Sequence, residues 1–131
     1  MIVIDTSAII AILREESEAQ SFIEIIADSE RCFLSAVGFF EASIVMIGRG
    51  PPKLADGLDA LIEHSAMEIV PVNWELARES RAAFIRFGKG RHPARLNFGD
   101  CVSYALAQSR GLPLLYKGND FPKTDIVSAV G

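Results

Sequence analysis

The sequence predicts an α/β fold, an α/β/α sandwich around a central parallel sheet of about five strands. Three observations lead there. Short apolar runs rich in branched residues alternate with longer helix-compatible segments. The runs are continuously apolar, as expected of strands buried on both faces. The chain has 131 residues, half of them hydrophobic, which suits a single domain with one compact core.

The first strand is Ile2-Val3-Ile4, stopped by Asp5-Thr6-Ser7 and followed by a helix over 8–14. A second helix over 17–28 places Ala19, Phe22, Ile23, Ile26 and Ala27 on one face. Cys32-Phe33-Leu34 reads as a second buried strand, and Ser35 opens a helix that reaches Ile47 and stops at Gly48 and Gly50. Pro51-Pro52 begins a helix running to His64, 67–72 reads as a strand, and 74–87 as another helix. Residues 88–98, rich in Gly, Pro and basic side chains, form an ordered loop. A helix over 99–109, a short strand over 114–116 and an edge strand at 126–127 complete the pattern. In such sheets ligands bind beyond the carboxyl ends of the strands.

Composition excludes several classes. With 23% charged residues and a net charge of −4, the chain is globular rather than disordered. No apolar stretch approaches the roughly 18 residues of a membrane span, and no secretory signal opens the sequence, so a cytoplasmic protein is expected. Cys32 and Cys101 read as buried reduced thiols. Neither His64 nor His92 lies in a zinc or Cys–His catalytic pattern, and no phosphate-binding glycine loop follows a strand. Trp74 reads as a core or helix-start residue.

Most of the 17 acids fall on solvated helix faces. Four do not. Asp5 directly follows the first strand, where it serves either as an N-cap, a role Ser7 could also fill, or as a functional carboxylate. Glu41 lies among Phe39, Phe40, Ile44 and Val45, so its carboxyl must be protonated, paired with an arginine or bound to a cation. Asp100 opens a helix and is either its N-cap or a ligand. Asp120, after the last core strand, is either a turn residue or a ligand. All four map beyond strand ends or onto helices leading from them. Carboxylates so gathered suit Mg²⁺ or Mn²⁺, which can activate water for in-line displacement at phosphorus. Thr6 and Ser7 could orient Asp5 or cap the helix that follows.

Charge is unevenly spread. Residues 80–99 hold Arg81, Arg86, Lys89, Arg91 and Arg95 and no acid, whereas residues 1–30 hold seven acids against Arg14. Beside an acidic pocket, Arg86, Lys89, Arg91 and Arg95 read either as a lip for a polyanionic substrate or as a solvated surface. The helices over 8–14, 17–28 and 51–64 offer more apolar surface than the chain can cover alone, so a protein partner is expected there.

The opening Met1-Ile2-Val3-Ile4-Asp5-Thr6-Ser7-Ala8, Glu41 on a helix after a short strand, Leu96-Asn97-Phe98-Gly99-Asp100-Cys101, and Leu114-Leu115-Tyr116-Lys117-Gly118-Asn119-Asp120-Phe121 together resemble the PIN-domain family. Within that family they are most like the VapC toxins of toxin–antitoxin pairs. The resemblance spans essentially the whole chain. It implies a metal-dependent endoribonuclease that forms a homodimer and is neutralised by a VapB antitoxin in a hetero-oligomer. Asp5, Glu41 and Asp100 match the family's first three acids, with Thr6 or Ser7 as the supporting hydroxyl. Relatives place the fourth acid earlier in its loop, where Gly118 or Asn119 stands here. Asp120 takes that role, with Asn119 and Asp125 as contributors, which implies one well-held Mg²⁺ and a transient second ion. Two rivals stand beside this reading: a catalytically silent PIN-like module that binds RNA or protein, and a metal-dependent phosphatase of small esters.

Overall fold

A computed structural model describes residues 1–131. Four strands, β1 (Ile2–Ile4), β2 (Cys32–Ser35), β3 (Glu68–Val70) and β4 (Leu114–Leu115), form one sheet in the order β3-β2-β1-β4. Every pairing is parallel, with Val3 beside Phe33 on one side and Leu114 on the other. The expected fifth strand at 126–127 does not form. Its place is taken by a single bridge from Leu114 to Ser128, where Leu114 N donates to Val127 O and Ala129 N donates to Leu114 O.

Six helices cover the sheet: α1 (Thr6–Leu13), α2 (Ala19–Asp28), α3 (Ala36–Ile47), α4 (Asp56–His64), α5 (Trp74–Phe87) and α6 (Phe98–Arg110). The pleat divides the core. Val3 and Phe33 face a layer built from α5 and α6, with Leu76, Phe87, Val102 and Leu106. Ile2, Ile4, Cys32 and Leu34 face the other layer, with Ile9, Ile12, Phe22 and Leu58 from α1, α2 and α4. Alternate residues of one short run thus enter different cores, which is why the strands read as unbroken apolar segments. Both cysteines are buried and free.

Several boundaries move for local reasons. Asp5 caps α1, so that helix starts at Thr6 rather than Ala8. Residues 15–18 are a turn containing Glu15 at φ 52°, which delays α2 to Ala19. Pro51-Pro52 lead into a 3-10 turn, Pro52–Ala55, before α4 begins. β3 ends at Val70 because Pro71 has no N–H to donate to the ladder. Tyr116 leaves the sheet and packs on Phe121, with ring centroids 5.1 Å apart.

The apolar residues of α1 that were expected to need a partner are largely buried within the chain. Ile23 on α2 and Leu54 before α4 are exposed, but more of the exposed apolar side chains lie on α3 (Phe40, Ile44), on α5 (Trp74, Phe84, Ile85) and at Phe98. Trp74 starts α5 as expected, but it stands in solvent and not in the core. No helix is long and apolar enough to cross a membrane.

Candidate active site

The sheet changes direction of growth at β1: the chain adds β2 and β3 on one side and then returns to add β4 on the other. The carboxyl ends of β1 and β4 therefore flank the switch point, where an open parallel sheet places its binding crevice. Asp5 is the first residue past β1. It is only 2% exposed, and its Oδ2 accepts hydrogen bonds from Ser7 N (3.0 Å) and Ser7 Oγ (2.7 Å). Its Oδ1 is buried with no hydrogen-bond partner. An unmatched buried carboxylate oxygen is costly and calls for a donor or a cation.

Ser7 also joins two loops. Its Oγ donates to Asp5 and accepts from Lys117 N (2.9 Å), tying the start of α1 to the segment after β4. The Lys117 side chain continues the tie, with Nζ 2.9 Å from Glu16 and 3.3 Å from Glu18. Thr6 is turned toward α3, where its hydroxyl donates to Gly38 O (3.3 Å) and acts on Glu41.

α3 and α6 bring the next two acids together. A Cβ at Gly99 would lie 2.5 and 2.6 Å from the Glu41 carboxylate oxygens, so Glu41 occupies the space left by the missing side chain. Burial raises the Glu41 pKa; the Thr6 hydroxyl partly offsets this and the Asp5 charge adds to it. Asp100 is one residue on. It is not the helix cap: Asn97 is, its Oδ1 accepting from Asp100 N (2.9 Å) while Asp100 Oδ2 accepts from Asn97 N (3.0 Å). This reciprocal box fixes the Asp100 rotamer and leaves Oδ1 outside the box. Burial pushes the Asp100 pKa up to about 7; the bond from Asn97 opposes this, and the charges of Asp5, Glu41 and Asp120 reinforce it.

Asp5, Glu41, Asp100 and Asp120 thus share one electrostatic neighbourhood. Asp120 is exposed in the loop after β4, and its side chain caps nothing. Asn119 is exposed beside it, following Gly118 at φ 112°. No three of the acids are drawn into a ready-made cation cage. The set still fits a hard divalent cation, because its donors are oxygens, one is buried and unmatched, and their mutual repulsion is what a cation would relieve.

Two expected contributors lie apart from this group. Asp125 accepts from the Tyr104 hydroxyl and pairs with Arg86 (3.2 Å), so the two are joined to each other and not to the four acids. Of the remaining basic residues, Arg91 donates from Nε to Ile85 O (3.2 Å), while Lys89 and Arg95 are exposed. Sequence reasoning missed three features: the Asn97 cap, the Gly99 gap and the Lys117 tie. Only the first left a signal, a cap-forming residue three positions before an acid at a helix start.

The PIN domain family profile matches residues 2–127. The chain belongs to the PIN-domain family. Within that family it is similar to two mycobacterial proteins, the VapC ribonuclease Mb0625 of Mycobacterium bovis and Ribonuclease VapC28 of Mycobacterium tuberculosis. Each is 46% identical over 98% of this chain and 97% of its own length. Among solved structures, the fold is similar to Mycobacterium tuberculosis VapC20, described as a sarcin-ricin loop cleaving toxin. The TM-score is 0.77 at 18% identity, covering 97% of both chains.

Proposed function

We propose that this chain is the toxin of a toxin–antitoxin pair and a Mg²⁺- or Mn²⁺-dependent endoribonuclease acting in the cytoplasm. The observation that carries the reading is the unmatched, buried Oδ1 of Asp5 among three further carboxylates at the β1/β4 crevice. The family and the ribonuclease relatives support the same chemistry.

Asp5, Glu41 and Asp100 would hold the cation, with Asp120 as the exposed fourth donor and Asn119 beside it. Such an ion activates water and stabilises charge on the phosphate oxygens. The protein's own part is orientation. Ser7 holds Oδ2 of Asp5 and leaves Oδ1 free for a cation it would hold, and Asn97 engages Oδ2 of Asp100 and leaves its Oδ1 free in the same way. Asp100, its pKa pushed up to about 7 by burial, can carry a proton near neutral pH, and burial shifts Glu41 in the same direction.

The test is incubation of the antitoxin-free protein with total RNA in Mg²⁺, Mn²⁺ or EDTA, with fragment ends mapped. Discrete cuts that need the metal support the reading. Intact RNA throughout, from a folded protein, favours the silent binding module, and turnover of a chromogenic phosphate monoester favours the phosphatase. Gly99→Ala gives a second check. The added methyl displaces the end of a flexible side chain rather than backbone, so the variant folds, while metal affinity and cleavage fall at least tenfold because Glu41 is moved. Calorimetric metal titration beside a cleavage assay measures both, and wild-type values would remove Glu41 from the ligand set.

For partners, we infer a VapB-type antitoxin and a homodimer. The relatives named VapC support the first, as does a neighbour of TM-score 0.71 and 21% identity described as a toxin–antitoxin complex from Klebsiella pneumoniae. The second is supported by an apolar groove of about 530 Å³ lined by Val37, Val72, Phe84, Phe98 and Val102. A monomer in sedimentation at micromolar concentration would overturn the dimer.

A further inference from the structure

The segment between α5 and α6 is unusually well built for a surface loop. Gly88 and Leu96 form a parallel bridge, with Lys89 N donating to Leu96 O (2.9 Å) and Leu96 N donating to Phe87 O (3.0 Å). Inside it, Arg91 N and His92 N both donate to Gly88 O, and Arg95 N donates to His92 O. Ala94 and Leu96 are fully buried. His92 is the centre of this arrangement. Its ring stands edge-on to Phe87, with centroids 5.0 Å apart, and its Nδ1 accepts the Ala94 N–H (3.0 Å). That bond holds the turn in which Arg95, a non-glycine residue, adopts φ 55°. A side chain kept in the left-handed region costs stability and often marks a functional constraint.

What the loop presents is charge. Lys89, Arg91 and Arg95 are exposed, and none is in an ion pair, although the chain as a whole is acidic. The loop runs directly into Asn97 and Asp100 of the candidate site. Three unneutralised cations on a rigid turn match the spaced negative charge of a phosphodiester strand, and rigidity lowers the ordering cost of binding it.

We propose that residues 88–96 are a preformed phosphate-binding loop that grips the RNA strand beside the cleaved bond, with His92 as the positioning residue that sets its shape. The proposal rests on the ribonuclease reading and assigns where its substrate is held. Arg95 is its principal contact, Lys89 and Arg91 are auxiliary, and Arg86, engaged with Asp125, is not part of it.

The experiment measures binding of a fluorescein-labelled single-stranded oligoribonucleotide by anisotropy across a salt series. It uses the Asp100→Asn background, which keeps the RNA intact, and monitors thermal melting of each variant. Arg95→Gly suits the positive φ and so keeps the loop. It is expected to weaken binding about tenfold at low salt and to lower the salt slope by about one. His92→Asn keeps an acceptor near the Nδ1 position, whereas His92→Gln moves it to the Nε2 position. Binding is expected to survive the first and to fall at least fivefold in the second. In an otherwise wild-type protein, the His92→Gln change in KM exceeds the change in kcat. Wild-type affinity and slope in folded Arg95→Gly, or equal behaviour of the two His92 variants, would overturn the loop while metal-dependent cleavage by the parent still supports the ribonuclease. A parent that neither cleaves nor binds RNA would overturn both.

Discussion

Asp100→Asn is expected to lower RNA cleavage on the order of several hundredfold while leaving the fold in place. The substitution is nearly isosteric, and the Asn amide oxygen can still accept from Asn97 N, so the helix keeps its cap, worth about 1 kcal/mol. What is lost is a negative charge at the centre of the carboxylate group. Removing one group that stabilises developing charge costs roughly 3–4 kcal/mol, and each tenfold in rate is about 1.4 kcal/mol. The measurement is the single-turnover rate on a defined RNA at saturating Mg²⁺, with circular dichroism as the folding control. A folded variant cleaving at the parent rate would remove Asp100 from the chemistry.

The second large effect is on stability. Asp100 titrates at about 7 in the folded protein against an ordinary 3.8, so the folded state keeps a proton that the unfolded chain releases. Its contribution to stability is fully present below about pH 4 and is lost as pH rises through about 7. Glu41 acts in the same direction. In EDTA these two groups therefore make the protein less stable at pH 7.5 than at pH 5, with an amplitude reduced by their partial exposure. A divalent cation should reverse this, adding about 2.7 kcal/mol at a hundredfold excess over its dissociation constant, or several degrees in Tm. Asp100→Asn should flatten both the pH dependence and the metal response. Urea unfolding at pH 5 and pH 7.5, in EDTA and in Mn²⁺, gives the answer. Stability that rises with pH in EDTA and ignores the metal would contradict the assignment of Asp100 as a buried, cation-seeking acid.

Much of the architecture was legible in the sequence because a parallel strand buried on both faces leaves an unbroken apolar run. Ile2-Val3-Ile4 and Cys32-Phe33-Leu34 could hardly be anything else, and the acid after the first of them was conspicuous for that reason. Glu41 stood out because a carboxylate among Phe39, Phe40, Ile44 and Val45 needs an explanation. Features decided by contacts distant in sequence were not legible. Whether Asp100 or Asn97 capped α6 depended on a single reciprocal hydrogen-bond pair. The engagement of Arg86 and Asp125 required three segments to meet, and the expected edge strand at 126–127 reduced to one bridge because only Leu114 offers it a partner. The apolar surface was only partly foreseen: Ile23 and Leu54 are exposed on two of the expected segments, but most of it lies on α3 and α5, since periodicity identifies a face but not the element that covers it.

The pairing of β1 with β4 bears on the order of events during synthesis. Val3 finds Phe33 soon after the first helices emerge, but its other neighbour, Leu114, lies more than a hundred residues downstream. The hydroxyl of Ser7 likewise waits for Lys117, and Asp100 waits for the loop bearing Asp120. The crevice is therefore the last part of the molecule to close. A nascent chain still threaded through a ribosome has most of its helices before the segment after β4 arrives to complete the group of acids beside Asp5.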